Sequence, residues 1–128
     1  MRPHAAVILL PVLAFTALHG AGAAEPSPLG QWELASGESR YSVSRCGGEA
    51  LCARLVWLRD DARTEENLAL LDTYVVKGAR PAENGGWAGT VTFDGSEYAG
   101  TMQVQEDGRM EVRSCSGLLC RSFTLRRI

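Results

Sequence analysis

The chain has 128 residues, with thirteen Lys and Arg against fifteen Asp and Glu, two His and four Cys, and carries a net charge of −2 at pH 7. Its mildly acidic balance gives no electrostatic case for nucleic acid, and the terminal Arg126-Arg127 is too short a basic run to propose a membrane patch. That length allows one domain with one modest core.

The N-terminal stretch reads "MRPHAAVILLPVLAFTALHGAGAAEPSP". A basic start at Arg2, an apolar run from Ala5 to Leu18 and the small residues Ala21-Gly22-Ala23 are the pattern of a secretory signal peptide over residues 1–23, with cleavage near Ala23 or Ala24. The apolar run is interrupted by Pro11 and falls short of the roughly 20 residues that span a bilayer, so no stable membrane anchor is expected. No cysteine near the cleavage site offers a point for lipid attachment. Both histidines, His4 and His19, lie in this segment, so the expected mature chain has no imidazole. Histidine general-base catalysis, Ser-His and Cys-His pairs and the usual imidazole zinc sites are thereby excluded. Removal of Arg2 leaves twelve basic against fifteen acidic groups, a net charge of −3.

Beyond the signal, short runs with period two read as strands: "QWEL" (31–34), "YSVSRC" (41–46), "CARLVWL" (52–58), "TYVVK" (73–77), "WAGTVTF" (87–93), "EYAGTMQV" (97–104), "RMEVRSC" (109–115) and "CRSFTLRR" (120–127). Asp94-Gly95 and Asp107-Gly108 are hairpin signals, Asn84-Gly85-Gly86 marks a further turn, and Gly47-Gly48 follows Cys46. The exception is "RDDARTEENLALLDT" (59–73), whose Thr64-Glu65-Glu66 and leucines at 68, 70 and 71 predict a short helix or loop around 64–72 over one end of the fold. Eight short antiparallel strands with hairpin spacing predict an all-β fold, an up-and-down barrel or a small sandwich. Closure favours the barrel because it removes exposed edges. In the sixth strand Tyr98, Gly100, Met102 and Val104 share one face; in the last, Phe123, Leu125 and Arg127 do.

Arg127 is unexpected beside Phe123 and Leu125, until it is set against Gly30-Gln31-Trp32 at the start of the first strand. This pair resembles the lipocalin and wider calycin pattern, in which a G-x-W strand packs against a basic residue from the closing strand. A guanidinium over an indole face contributes roughly 0.5–2 kcal/mol and would seal the barrel. The fuller series "LGQWEL", "CGGEALCARLVWL", "GGWAGTVTFDGSEYAGTMQV", "GRMEVRSC" and "FTLRRI" resembles the domain of unknown function 2147 family, small secreted bacterial proteins with a lipocalin-like barrel. The resemblance runs from Leu29 onward and implies a single domain over 29–128. The chain departs from that family in lacking Asn-Pro near Asn67-Leu68 and a proline between Asp94 and Gly95, and in having Leu125 where a tryptophan is usual. The family resemblance implies an architecture and no established activity.

An extracytoplasmic destination, an even cysteine count and the missing histidines favour disulfides over a four-thiolate metal site. In an up-and-down barrel the second and seventh turns lie at opposite ends. Cross-pairing is then too long for disulfide geometry, and the pairs Cys46–Cys52 and Cys115–Cys120 are expected. Tyr41, Trp57, Trp87, Tyr98, Phe93 and Phe123 are candidates either to line a pocket for an apolar ligand or simply to fill the barrel. Asp60, Asp61, Glu65 and Glu66 lack the spacing and glycine of a calcium loop and read as solvated. "NGGWAGT" is a turn and not a phosphate cradle, and Ser114 and Ser116 have no neighbouring base. No metal or cofactor is expected.

Together these features predict a noncatalytic periplasmic or secreted lipocalin-like barrel that binds a small apolar or amphipathic molecule. The rival reading is an envelope interaction module contacting a protein partner through residues 59–72 and the barrel rim. An enzyme using carboxylate or tyrosine chemistry stands third, because no convergent acid–base set can be picked out.

Overall fold

A computed structural model describes residues 26–128, together with 3–6, 8 and 11. The signal segment expected over 1–23 and its cleavage site lie for the most part outside the described residues. Eight strands form one closed antiparallel barrel in sequential order. They are β1 (Gly30–Leu34), β2 (Ser39–Gly47), β3 (Ala50–Leu58), β4 (Tyr74–Pro81), β5 (Trp87–Phe93), β6 (Ser96–Val104), β7 (Met110–Ser116) and β8 (Leu119–Arg127). Each pairs with the next, and β8 pairs back onto β1 to close the ring.

Local chemistry accounts for the turns. Phe93 pairs with Ser96, leaving Asp94 and Gly95 as a two-residue loop with φ of 48° and 71°. Two positive φ values define a type I′ turn, whose twist matches that of the flanking strands. The β3–β4 connection holds a 3₁₀ turn at Asp60–Ala62 and a helix, α1 (Glu65–Leu70). Thr64 caps α1 by accepting a hydrogen bond from the Asn67 amide, and Glu65 and Glu66 sit in the first turn, where the helix dipole favours negative charge. The connection is held to the barrel by Ala62, which is buried with Leu55 and Leu58 and packed against Leu70, Leu71 and Val75.

In such a barrel the β1–β2, β3–β4, β5–β6 and β7–β8 connections gather at one end, and the others gather at the opposite end with the N-terminal lead-in. The second end is filled. Trp32, Leu51, Met102 and Met110 are each no more than 1% exposed. The seam between first and last strands is fastened on both faces. Inside, Trp32 pairs in register with Arg127, whose guanidinium lies 4.2 Å from the indole ring centroid. Arg127 also donates to the Leu29 carbonyl (2.7 Å) and the Ser27 carbonyl (2.8 Å), while Trp32 Nε1 donates to the Pro28 carbonyl at 2.8 Å. Gly30 sits at φ +124°, and a Cβ there would lie 2.9 Å from Arg127 Nη1, so the glycine of the G-x-W pattern makes room for the closing arginine.

Outside, Glu33 lies between Arg40 of β2 and Arg126 of β8, each directly opposite it in register. Its carboxylate accepts hydrogen bonds from Arg40 Nε at 2.8 Å and from Arg126 Nη2, and its side chain is only 8% exposed. The guanidiniums of Arg126 and, next, Arg40 hold the Glu33 carboxyl below the usual carboxylate range, against the opposing effect of burial.

Candidate functional site

The barrel is filled at one end and hollow at the other. A cavity of about 290 Å³ opens between the β1–β2 turn, α1, the β5–β6 turn and the start of β8. This is close to the lower end of the roughly 300–1,000 Å³ typical of small-molecule sites. Val43, Ala53, Val76, Val91, Met102 and Leu125 make its deeper walls, one residue or more from most strands. They come from the inward face of each strand's alternation, and four of the six are only alanine or valine. At the mouth stand Phe93, Phe123, Asn67 and Leu70 with the charged groups Glu38, Glu66, Asp94 and Arg121.

Of the aromatic residues singled out from the sequence, the cavity brings together Tyr41, Phe93 and Phe123. Trp57, Trp87 and Tyr98 lie elsewhere. Trp57 is turned out by a β-bulge: Tyr41 faces Leu55 but Arg40 faces Trp57, so Val56 is an extra residue in β3. Leu55 keeps its inward place, Leu58 takes the next inward position, and Trp57 lies outside under the Arg40 guanidinium, 4.3 Å from its ring centroid. Tyr98 stacks on Phe93 with ring centroids 4.4 Å apart and so buttresses a cavity wall without forming it. Trp87 packs against the core and borders a separate cleft of about 50 Å³ with Pro26 and Val104, too small for more than a water or two.

Polar groups in the cavity are few. Ser39 is 4% exposed, and its hydroxyl lies 2.9 Å from that of Tyr41. Burial pushes the Tyr41 phenol above its ordinary range, with the Ser39 hydrogen bond opposing, so the phenol stays protonated at neutral pH. Thr92 lies between the inward-facing Val91 and Phe93, so its side chain is on the other face of β5, where its Oγ1 is buried with no hydrogen-bond partner among the described residues. Arg121 pairs with Asp94 at 2.8 Å and lies over the Phe93 ring, with its guanidinium carbon 5.0 Å from the centroid. Neither Ser39 nor Thr92 was singled out from the sequence. Ser39 precedes the strand stretch read at 41–46, and nothing local distinguishes either hydroxyl from a solvated one.

The acidic loop residues do not converge. Asp61 forms an ion pair with Arg59, which holds its carboxyl below the usual range. Among the described residues no three His, Cys, Asp or Glu side chains are placed to hold a metal ion. Ser114 is buried, and its hydroxyl donates to the Ala99 carbonyl across the neighbouring strand at 2.9 Å. Disulfides join Cys46 to Cys52 and Cys115 to Cys120, each within one hairpin. Cys115 and Cys120 are directly opposed in register, two pairs back from a turn at whose tip Leu118 and Leu119 are fully and largely exposed. Two disulfides point to an oxidising, extracytoplasmic compartment. No helix among the described residues is long and apolar enough to cross a membrane.

Comparison with known proteins shows that the model of a family described as "Uncharacterized protein conserved in bacteria (DUF2147)" fits residues 30–127. No curated protein and no solved structure matches the chain.

Proposed function

The chain belongs to the DUF2147 family of bacterial proteins, and from that premise we propose that it is a noncatalytic, periplasmic or secreted barrel that binds a small apolar or amphipathic molecule. The observation that carries this reading is the half-hollow interior, a cavity of about 290 Å³ walled by Val43, Ala53, Val76, Val91 and Leu125 and open at one end. A barrel with no ligand would gain stability by filling that space, because empty apolar volume forfeits packing contacts. The cavity's polar interior groups, Ser39 and Tyr41, suit binding better than bond-breaking, since a protonated phenol and a hydroxyl supply no general base.

Native mass spectrometry of protein released gently from the cell envelope tests this. The expected result is a species heavier than the polypeptide by a discrete small-molecule mass, which disappears on denaturation. Apo protein alone, together with unchanged intrinsic fluorescence across a panel of short-chain lipids and aromatics, would overturn it.

A second reading, an interaction module of the envelope, is favoured by exposed apolar residues at the cavity end: Leu68 on α1 is 42% exposed, and Leu118 and Leu119 form the braced hairpin tip. A stoichiometric envelope protein that co-purifies with the wild type and is lost when residues 59–72 are replaced would support this reading over the first.

A further inference from the structure

We infer that the cavity's ligand is not an anion and carries a hydrogen-bond-accepting oxygen, as in an ester, amide or ketone, which the Ser39–Tyr41 hydroxyl pair engages. This inference rests on the ligand-binding reading and adds the ligand's chemical class. Two hydroxyls 2.9 Å apart hold two protons, and the hydrogen bond between them uses one. Whichever hydroxyl donates, the other O–H has no acceptor among the described residues. It lies in a cavity wall where Ser39 is 4% exposed and Tyr41 is half-buried. A buried donor left unpaired is costly, and such groups are usually matched by a partner. The spare O–H of the Ser39–Tyr41 pair is a proton donor without an acceptor among the described residues, and an ester or amide oxygen supplies one that an alkyl chain cannot.

Charge at the mouth decides against a free carboxylate or phosphate. Arg121, the cation among the mouth residues, is already paired with Asp94 at 2.8 Å. Glu38 and Glu66 then leave the entrance negative. Glu38 has a guanidinium nearby only at 4.0 Å, in Arg59, which is itself bonded to Asp61. An anionic headgroup would meet like charge, whereas a neutral carbonyl meets a hydroxyl donor.

Methyl octanoate and sodium octanoate share one acyl chain and differ in charge, so they separate the two contributions. Titration at neutral pH, followed by amide chemical shifts, is expected to show the ester bound at least about tenfold more tightly than the acid anion. The Ser39→Ala/Tyr41→Phe double variant should weaken ester binding by roughly fivefold, about the net effect of one neutral hydrogen bond. Glu38→Gln/Glu66→Gln, altered only at exposed positions, should bring octanoate several-fold closer to the ester. Octanoate binding as tightly as the ester, or a folded double variant with undiminished ester affinity, would overturn the inference while leaving ligand binding intact. If the double variant does not fold, the wild-type ratio of ester to anion decides alone. If neither octanoate probe nor any member of the apolar panel binds, the ligand-binding reading itself fails, and this inference with it.

Discussion

At the scale of single residues, two side chains on either face of the β1–β8 seam do different work. Arg127 is inward and structural, stacked on a fully buried Trp32 and tied to two carbonyls of the lead-in. Glu33 is outward, and its neutralisation would leave Arg40 and Arg126 facing each other across it. Because its carboxyl is held below the ordinary glutamate value, Glu33 contributes stability that is present above the unfolded pKa, near 4.3, and is lost as pH falls through the lower folded pKa. Thermal melts of Glu33→Gln should accordingly show a lower Tm than wild type at pH 7 and a shallower loss of Tm below about pH 4. Parallel pH profiles for the two proteins would mean that the ion triad does not couple to folding. Arg127 stands out in the sequence because a basic residue shares a strand face with Phe123 and Leu125, and its match with Trp32 follows from the resemblance of Gly30-Gln31-Trp32 and Arg127 to the lipocalin pattern. Glu33 does not stand out, since its partner in β8 lies 93 residues away and only barrel closure brings them opposite.

At the scale of elements, number and order of strands were legible, because alternation and turn glycines are local. The β5 bounds read from "WAGTVTF" match the strand observed, and Asp94-Gly95 makes the tight hairpin its residues predict. The short helix read from Thr64-Glu65-Glu66 is present at Glu65–Leu70, capped by Thr64. Bulges were not legible. Continuing the Leu51, Ala53, Leu55 alternation puts Trp57 inside, and the extra residue at Val56 sends it outside. The β7–β8 hairpin supplies the prediction for this scale. Replacing Cys115 and Cys120 together by Ser should cost about 2 kcal/mol, the loop-entropy value for so short a closure. In a domain of this size that is a fall of roughly 10 °C in Tm under oxidising conditions. A double variant that melts with the wild type would show that the strand pairing alone holds this hairpin.

At the scale of the whole molecule, the division between a filled floor and a hollow upper barrel sets what the protein can do. Ala53 lines the cavity from the inward face of β3, and that cavity of about 290 Å³ leaves room for a larger side chain. Ala53→Phe should therefore keep its stability within about 1 kcal/mol of wild type, less than the 1–3 kcal/mol that overpacking a full core costs. It should also lose the small-molecule mass in native spectra and the response to methyl octanoate. A well-folded Ala53→Phe protein that still binds would place the ligand outside the barrel interior.

The sequence by itself determined the all-β architecture and the eight strands in meander order, because period-two alternation and turn chemistry are each readable within a few positions, while the match of Trp32 with Arg127 followed from the resemblance to the lipocalin pattern. The tertiary structure alone decided that the barrel is half empty, that Tyr41, Phe93 and Phe123 face the space while Trp57 and Trp87 do not, and that Ser39 and Tyr41 leave one proton without an acceptor among the described residues. Whether a barrel is hollow depends on the summed side-chain volume delivered to one level by all eight strands. A single bulge changes which residues deliver it.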